Sequence, residues 1–240
     1  ATVKAEAHRV MVADVHTAPR QTERKTFTVN VHKLPPDIAK DALDVPINND
    51  GRLTLEFVGT NPSFTTLDIA PNDAAPTLYI AGDSTVSDWD DPPWSSWGSM
   101  LPQMFKPGTV AIADRAFPGR SSKSFITENR LADILSTLKK GDYLFVQFAH
   151  NDQKPAASLH TDPETTYKQE LKVYIDEARK RGATPVLVTS MPRRRFSSDG
   201  HIQNSLGDYP QAMRELAAED HVALIDLNKM ATDFFDKLGP

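Results

Sequence analysis

The sequence contains no cysteine. Thiol nucleophiles, disulfide staples and thiolate metal sites are therefore excluded. No apolar run approaches the roughly 18 residues that a membrane-spanning helix needs. Positive charge is also short: Lys+Arg 27 against Asp+Glu 32 leaves a net charge of −5. An acidic chain is a poor candidate for non-specific nucleic-acid binding, which draws on clustered positive charge. The start, Ala1–Val10, has neither a basic segment nor an apolar core of the signal-peptide kind, so a mature or trimmed form is expected. Internal repeats and low-complexity segments are lacking too. What is present is an ordinary globular balance, 39% hydrophobic and 25% charged, over 240 residues. That length suits one sizeable domain, or one domain with a small companion.

Two patterns divide the chain. Up to about residue 72, Val3–Val12, Lys25–Lys33, Arg52–Gly59 and Phe64–Ala70 are short runs rich in β-branched residues, separated by Pro, Asn, Asp and Gly. Such runs predict antiparallel strands. Ile47–Leu53 reads as a turn, because Asn and Gly tolerate positive φ. A small all-β, sandwich-like domain over 1–72 is expected, and Pro71–Pro76 reads as a linker. From residue 73 to 240, apolar runs alternate with helical periods. Thr77–Gly82, Thr109–Asp114, Tyr143–Phe148, Pro185–Ser190 and Val222–Asp226 lack period-two alternation, as parallel strands covered on both faces do. Leu131, Ile134, Leu135 and Leu138 share one helix face; Leu171, Ile175 and Ala178 mark a second helix, ended by Gly182. Met213, Leu216 and Ala217 mark a third. The alternation predicts a three-layer α/β/α, flavodoxin-like fold with a five-stranded parallel sheet. Its ligand edge lies at the strand C-termini.

Those C-termini carry polar residues. The first strand ends in Gly82-Asp83-Ser84-Thr85. A Ser at a strand-to-helix turn exposes its hydroxyl beside helix amides that favour negative charge. Taken alone it is an ordinary helix cap, and it is neither G-x-S-x-G nor a Walker A loop. The second strand leads to Ala116–Ser122, where Gly119 lets a backbone amide approach a ligand. The third ends in His150-Asn151-Asp152. Together, three successive strands end in Ser, Gly and Asn. Ser84 can attack a carbonyl. The amides of Ser84 and Gly119 and the side chain of Asn151 can hold an oxyanion, where one donor is worth about 3–4 kcal/mol.

GDST, the Gly119 loop and HND resemble the first three blocks of the SGNH (GDSL-type) hydrolases. Leu78–Asp88, Pro93–Pro102, Tyr143–Lys154, Leu187–Phe196, Leu206–Pro210 and Leu224–Asn228 are similar to the rhamnogalacturonan acetylesterase branch. The leading β region resembles an accessory domain found before some bacterial members. The resemblance implies an esterase that removes acetyl groups from pectin or a related plant polysaccharide. It implies Ser84 as nucleophile, Gly119 and Asn151 as oxyanion donors, and Asp83 as a brace of the turn. It implies no metal or organic cofactor, and a secreted or periplasmic location.

The family also carries an Asp-x-x-His block near the C-terminus, whose His accepts the Ser proton. This sequence contains none. The expectation is that the polypeptide continues past Pro240. A truncated, catalytically inactive protein that binds polysaccharide is the alternative, and a base supplied by a partner chain is a third possibility. His150, His160, His201 and His221 are weighed as substitutes and none is preferred; His8, His16 and His32 fall in the β region. Trp89 and Trp94 are candidate sugar platforms, while Trp97 fits an amphipathic helix and the core. Arg193 and Arg194 follow the fourth strand and suit a galacturonate carboxylate. A flavodoxin-like phosphate binder is permitted by the fold class, but no phosphate-cradling loop supports it.

Overall fold

The computed structural model describes residues 1–38, 50–89 and 94–240. Its larger sheet has five parallel strands: β4 (Thr77–Gly82), β5 (Ala111–Asp114), β6 (Tyr143–Gln147), β7 (Thr184–Val188) and β8 (Ala223–Ile225). They lie in the order β5-β4-β6-β7-β8. Before them, β1 (Thr2–Ala5), β2 (Arg9–Val12) and β3 (Leu55–Val58) form an antiparallel sheet in the order β2-β1-β3. The helices are α1 (Trp97–Met100, continued by a tight turn over Leu101–Met104), α2 (Ser122–Thr127), α3 (Arg130–Thr137), α4 (Lys168–Lys180), α5 (Tyr209–Glu219) and α6 (Leu227–Leu238). This is the α/β architecture expected from the alternating pattern.

Every residue of β4 is buried, which explains its lack of alternation. Its odd positions, Tyr79 and Ala81, join the main core with Leu144, Val146, Phe148 and the inner faces of α3, α4 and α5. Its even positions, Leu78 and Ile80, join Ile112 and Val86 in a second cluster, against which Trp97, Leu101 and Phe145 pack. Trp97 is thus a packing residue, as its helical setting suggested. The helices owe their ends to local chemistry. Ser121 and Ser124 make a reciprocal capping box at the start of α2. Asp162 and Pro163 open the wide turn that leads into α4.

The second face is covered in a different way. Strand β2 packs on α1 and the turn after it. Val29 then pairs in parallel with Ile112, on the free edge of β5. Two predicted strands are not formed as ladders. Lys25–Lys33 contributes only isolated bridges at Val29 and Lys33, and Phe64–Ala70 makes none. Their β-branched residues favour an extended backbone, but neither makes a continuous run of backbone bonds to the strand beside it: Val29 meets β5 at one bridge, Phe64 meets β3 only through its ring, 4.8 Å from that of Phe57, and Phe64 and Ile69 are 61% and 69% exposed. A sandwich needs two facing sheets; the described residues of this region hold one, and it packs on the α/β unit. In the predicted turn, residues 47–49 lie outside the described residues, while Gly51 has φ +78° and its amide donates to His32 O at 2.8 Å.

Phe148 stands at the centre of the main core, with ring centroids 5.4 Å from Phe125 and 5.6 Å from Tyr174. Phe148→Ala should lower unfolding free energy by about 3–5 kcal/mol, read as a drop in denaturant midpoint. An unchanged midpoint would contradict this packing.

Candidate active site

Chain reversal after β4 builds the first part of the site. The Asp83 carbonyl accepts from the amides of Val86 and Ser87, both at 3.1 Å, so residues 83–87 form a single helical turn. The buried Asp83 carboxylate accepts from the Thr85 amide at 2.9 Å and from Thr85 Oγ1 at 2.8 Å. Gln147, at the end of β6, donates through Nε2 to Thr85 Oγ1 at 2.7 Å. Its Oε1 accepts from the Trp97 indole at 3.0 Å. The Trp89 indole donates to Ser84 O at 3.1 Å. Ser84 is therefore held through its backbone while its side chain lines a cleft.

Two further loops are tied to this turn. The Phe117 amide donates to Gly82 O at 2.9 Å, which docks the loop after β5 beside the Ser84 turn. Within that loop Gly119 has φ +80°, a left-handed conformation in which a side chain is strained although the space around it is open. The Asn151 side-chain amide donates to Arg120 O at 2.9 Å. Its NH2 group has two hydrogens, so a second remains to be directed elsewhere. Asp152 fastens the same two loops from below. It is fully buried and accepts from the Ser122 amide at 3.1 Å, Ser122 Oγ at 2.5 Å and Thr161 Oγ1 at 3.0 Å. Burial pushes its carboxyl up to about 7, against the opposing pull of those donors.

The cleft has a volume of about 410 Å³ and is lined by Ser84, Thr85, His150, Asn151, Lys154, Met191, Pro192 and Arg193. Ser84, Asn151 and Arg193 thus meet there. Asp83 lies beneath, with Oδ2 3.7 Å from His150 Nδ1. Gly119 sits one loop over, and Trp89 touches the site through Ser84 O. Arg193 is held in place: its amide donates to Ser205 Oγ at 2.8 Å and its Nη1 to Ser205 O at 2.9 Å. Arg194 is not brought to the cleft. Its Nη2 donates to Gly239 O at 3.1 Å, and its guanidinium lies 5.7 Å from the centre of the Phe196 ring. Trp94, 63% exposed, packs on Trp89 at 5.9 Å between centroids. His201 is an exposed partner of Asp236, away from the cleft. Sequence reasoning missed Thr85, Gln147 and Lys154. Thr85 and Lys154 adjoin recognised blocks, whereas Gln147 looks like a strand residue until its side-chain partners are known.

A hydroxyl at a strand-to-helix turn, a left-handed glycine loop and a fixed carboxamide are the parts that a serine acyl-transfer site requires. Residues 80–239 match the GDSL-like lipase/acylhydrolase family. The chain belongs to that family and is by class a carboxylic ester hydrolase. It is 44% identical over 165 residues to rhamnogalacturonan acetylesterase RhgT of Bacillus subtilis (strain 168), a match spanning 68% of this chain and 69% of that protein. It is 43% identical over 164 residues to the probable rhamnogalacturonan acetylesterase YesY of the same organism, spanning 68% of this chain and 75% of that one. These similarities put it in the rhamnogalacturonan acetylesterase-like branch. The crystal structure of YxiM from Bacillus subtilis superposes with a TM-score of 0.64 at 28% identity, covering 80% of this chain and 57% of that chain. The chain therefore spans little more than half the length of YxiM.

Gly119→Ala should cost about 1–2 kcal/mol, because the left-handed backbone must carry a Cβ; unfolding by denaturant measures it. Asp152 has a carboxyl raised above its ordinary 3.8 to about 7 in the fold. Between those values the native state binds more protons than the unfolded one, so this group's contribution to stability is full below about 3.8 and is lost as pH rises through about 7. Asp152→Asn should flatten the dependence of Tm on pH across that window. A wild-type slope that survives the substitution would assign the effect elsewhere.

Proposed function

We propose that the protein is a serine carbohydrate esterase that removes acetyl groups from rhamnogalacturonan or a related pectic polysaccharide. One observation carries the reading: the loops after β4, β5 and β6 are hydrogen-bonded to one another so that Ser84, the Gly119 loop and Asn151 converge. The rhamnogalacturonan acetylesterases to which the chain is similar supply the substrate class. In this reading Ser84 Oγ attacks the acetyl carbonyl carbon. Negative charge on the carbonyl oxygen is met by the amides of Ser84 and Gly119 and by the Asn151 side chain. The sugar oxygen leaves, taking the proton that Ser84 gives up. Water then cleaves the acetyl-enzyme and releases acetate. Family members pass that proton through the His of an Asp-x-x-His block; these 240 residues contain no such block, and the histidine in the cleft, His150, turns Nδ1 toward Asp83.

The rim suits an acidic polymer. Lys154 is exposed at the cleft, and Arg193 is in the same lining, held by Ser205. Either cation can pair with a galacturonate carboxylate. Trp89, with Trp94 packed on it, offers an apolar face beside Ser84. A polymer substrate places the protein outside the cytoplasm, secreted or periplasmic, with neither nucleic acid nor a membrane as partner.

Acetate release from acetylated rhamnogalacturonan tests the reading. Ser84→Ala should lower kcat by at least about a thousandfold. Retained turnover in that variant would defeat it. Binding of the polymer without acetate release, equal in the two proteins, would favour a silent polysaccharide-binding protein instead. Arg193→Gln should raise KM for the acidic polymer several-fold and leave p-nitrophenyl acetate hydrolysis unchanged; equal effects on both substrates would remove Arg193 from carboxylate recognition.

A further inference from the structure

The most heavily buried charge in the N-terminal sheet points at the nucleophile turn. Arg9, the first residue of β2, donates through Nε to Asp88 Oδ2 at 2.5 Å, with side-chain exposures of 1% and 2%. Its Nη1 donates to Asn30 O and to Ile112 O, both at 3.2 Å. One guanidinium thus joins three pieces: β2, the extended segment that pairs with β5, and β5 itself. Its carboxylate partner lies four positions after Ser84, where the turn begun at Asp83 ends. Trp89, the next residue, reaches back to Ser84 O. Ser96 donates to Ser87 O at 2.6 Å and also to Val86 O, closing the same turn from α1.

The surroundings are built for this contact. Asp114, buried at the end of β5, accepts from the Ala116 amide at 2.9 Å. Burial and the neighbouring Asp88 carboxylate hold its carboxyl well above the usual carboxylate range, while Arg9 pulls the other way. Gly98 allows this approach, because a Cβ there would collide with Val86 O and Asp114 Oδ2. Asp88 is thereby fixed by a charge brought from 79 positions earlier in the chain.

We propose that Arg9 is a positioning residue for the nucleophile turn: through Asp88 it sets the orientation of residues 84–89, which makes the N-terminal sheet a working part of the esterase site. The proposal rests on Ser84 being the nucleophile. Asp88 and Arg9 touch no substrate, so their effect falls on turnover. The first test is Arg9→Lys, which keeps a charge opposite Asp88 but cannot also reach both carbonyls with a planar fork. We expect kcat for acetate release to fall between about tenfold and a hundredfold at nearly constant KM. The second is Arg9→Met with Asp88→Asn, which removes both buried charges and should restore Tm without restoring kcat. Wild-type kcat in Arg9→Lys, or kcat and Tm recovering together in the double variant, overturns the proposal. A readout free of turnover separates this from the esterase reading. The near-ultraviolet circular dichroism band lost in Trp89→Phe reports the turn. It should be altered in Arg9→Lys; an unaltered band counts against positioning whether or not acetate is released. A wild-type protein that releases no acetate, with the band still altered, defeats the esterase reading alone.

Discussion

Strand β4 is hydrogen-bonded on both sides, to β5 through Thr77–Ile80 and to β6 through Leu78–Gly82, and the geometry of the site follows from that placement. The order in which strands are added reverses there: β5 lies to one side, and β6, β7 and β8 to the other. The connections on either side of a switch point diverge and leave a crevice at the strand C-termini. Ser84 stands at its mouth because β4 ends at Gly82. The loop after β5 must come back over the same end, and Phe117 N–H to Gly82 O fixes it there. Asn151 arrives from β6 and closes the third side.

Three loops meeting at one point have to be kept from drifting apart, and the molecule does this with buried polar groups. Asp152 is the chief one. Its carboxylate gathers Ser122 and Thr161, and its carbonyl accepts from Tyr209 at 3.0 Å. Tyr174 donates to Ser122 O at 2.7 Å, and Tyr167 to Phe148 O at 2.6 Å. The tyrosines sit on or beside α4 and α5, so the cleft edge of the sheet is wired to the helices that cover the main core. A buried polar network of this kind is costly unless its groups are satisfied, and in return it specifies one arrangement. The raised carboxyl of Asp152 records that cost.

Much of this could be read from the residues. The parallel strands were legible because burial on both faces leaves an unbroken apolar run, and β4 matches its predicted bounds. Polar residues after those runs identified the loops of Ser84, Gly119 and Asn151. What stayed hidden depends on partners far away in sequence. Lys25–Lys33 and Phe64–Ala70 have strand-like composition, yet a strand exists only where a run of backbone bonds joins it to a neighbour, and these segments make isolated bridges or none. Arg193 and Arg194 are neighbours with the same chemistry. Only the backbone course decides that one faces the cleft and the other Gly239 O. Gln147 is an unremarkable polar residue until Thr85 and Trp97 are seen at its two ends.

The pairing of Arg9 with Asp88 belongs to the hidden class, and its energetics say what kind of feature it is. Removing two charges from water costs several kcal/mol per ion, and a well-packed apolar pair is often as stable or more so. Stability alone does not account for an arginine and an aspartate at 1% and 2% exposure. What an apolar pair lacks is direction. A guanidinium that must satisfy a carboxylate and two carbonyls at once allows essentially one placement of all three. The carbonyls belong to Asn30 and to the edge strand β5, and the carboxylate to the end of the turn that presents Ser84. Directional bonding of this kind transfers the rigidity of the sheet edge to the loop where a fraction of an ångström matters most.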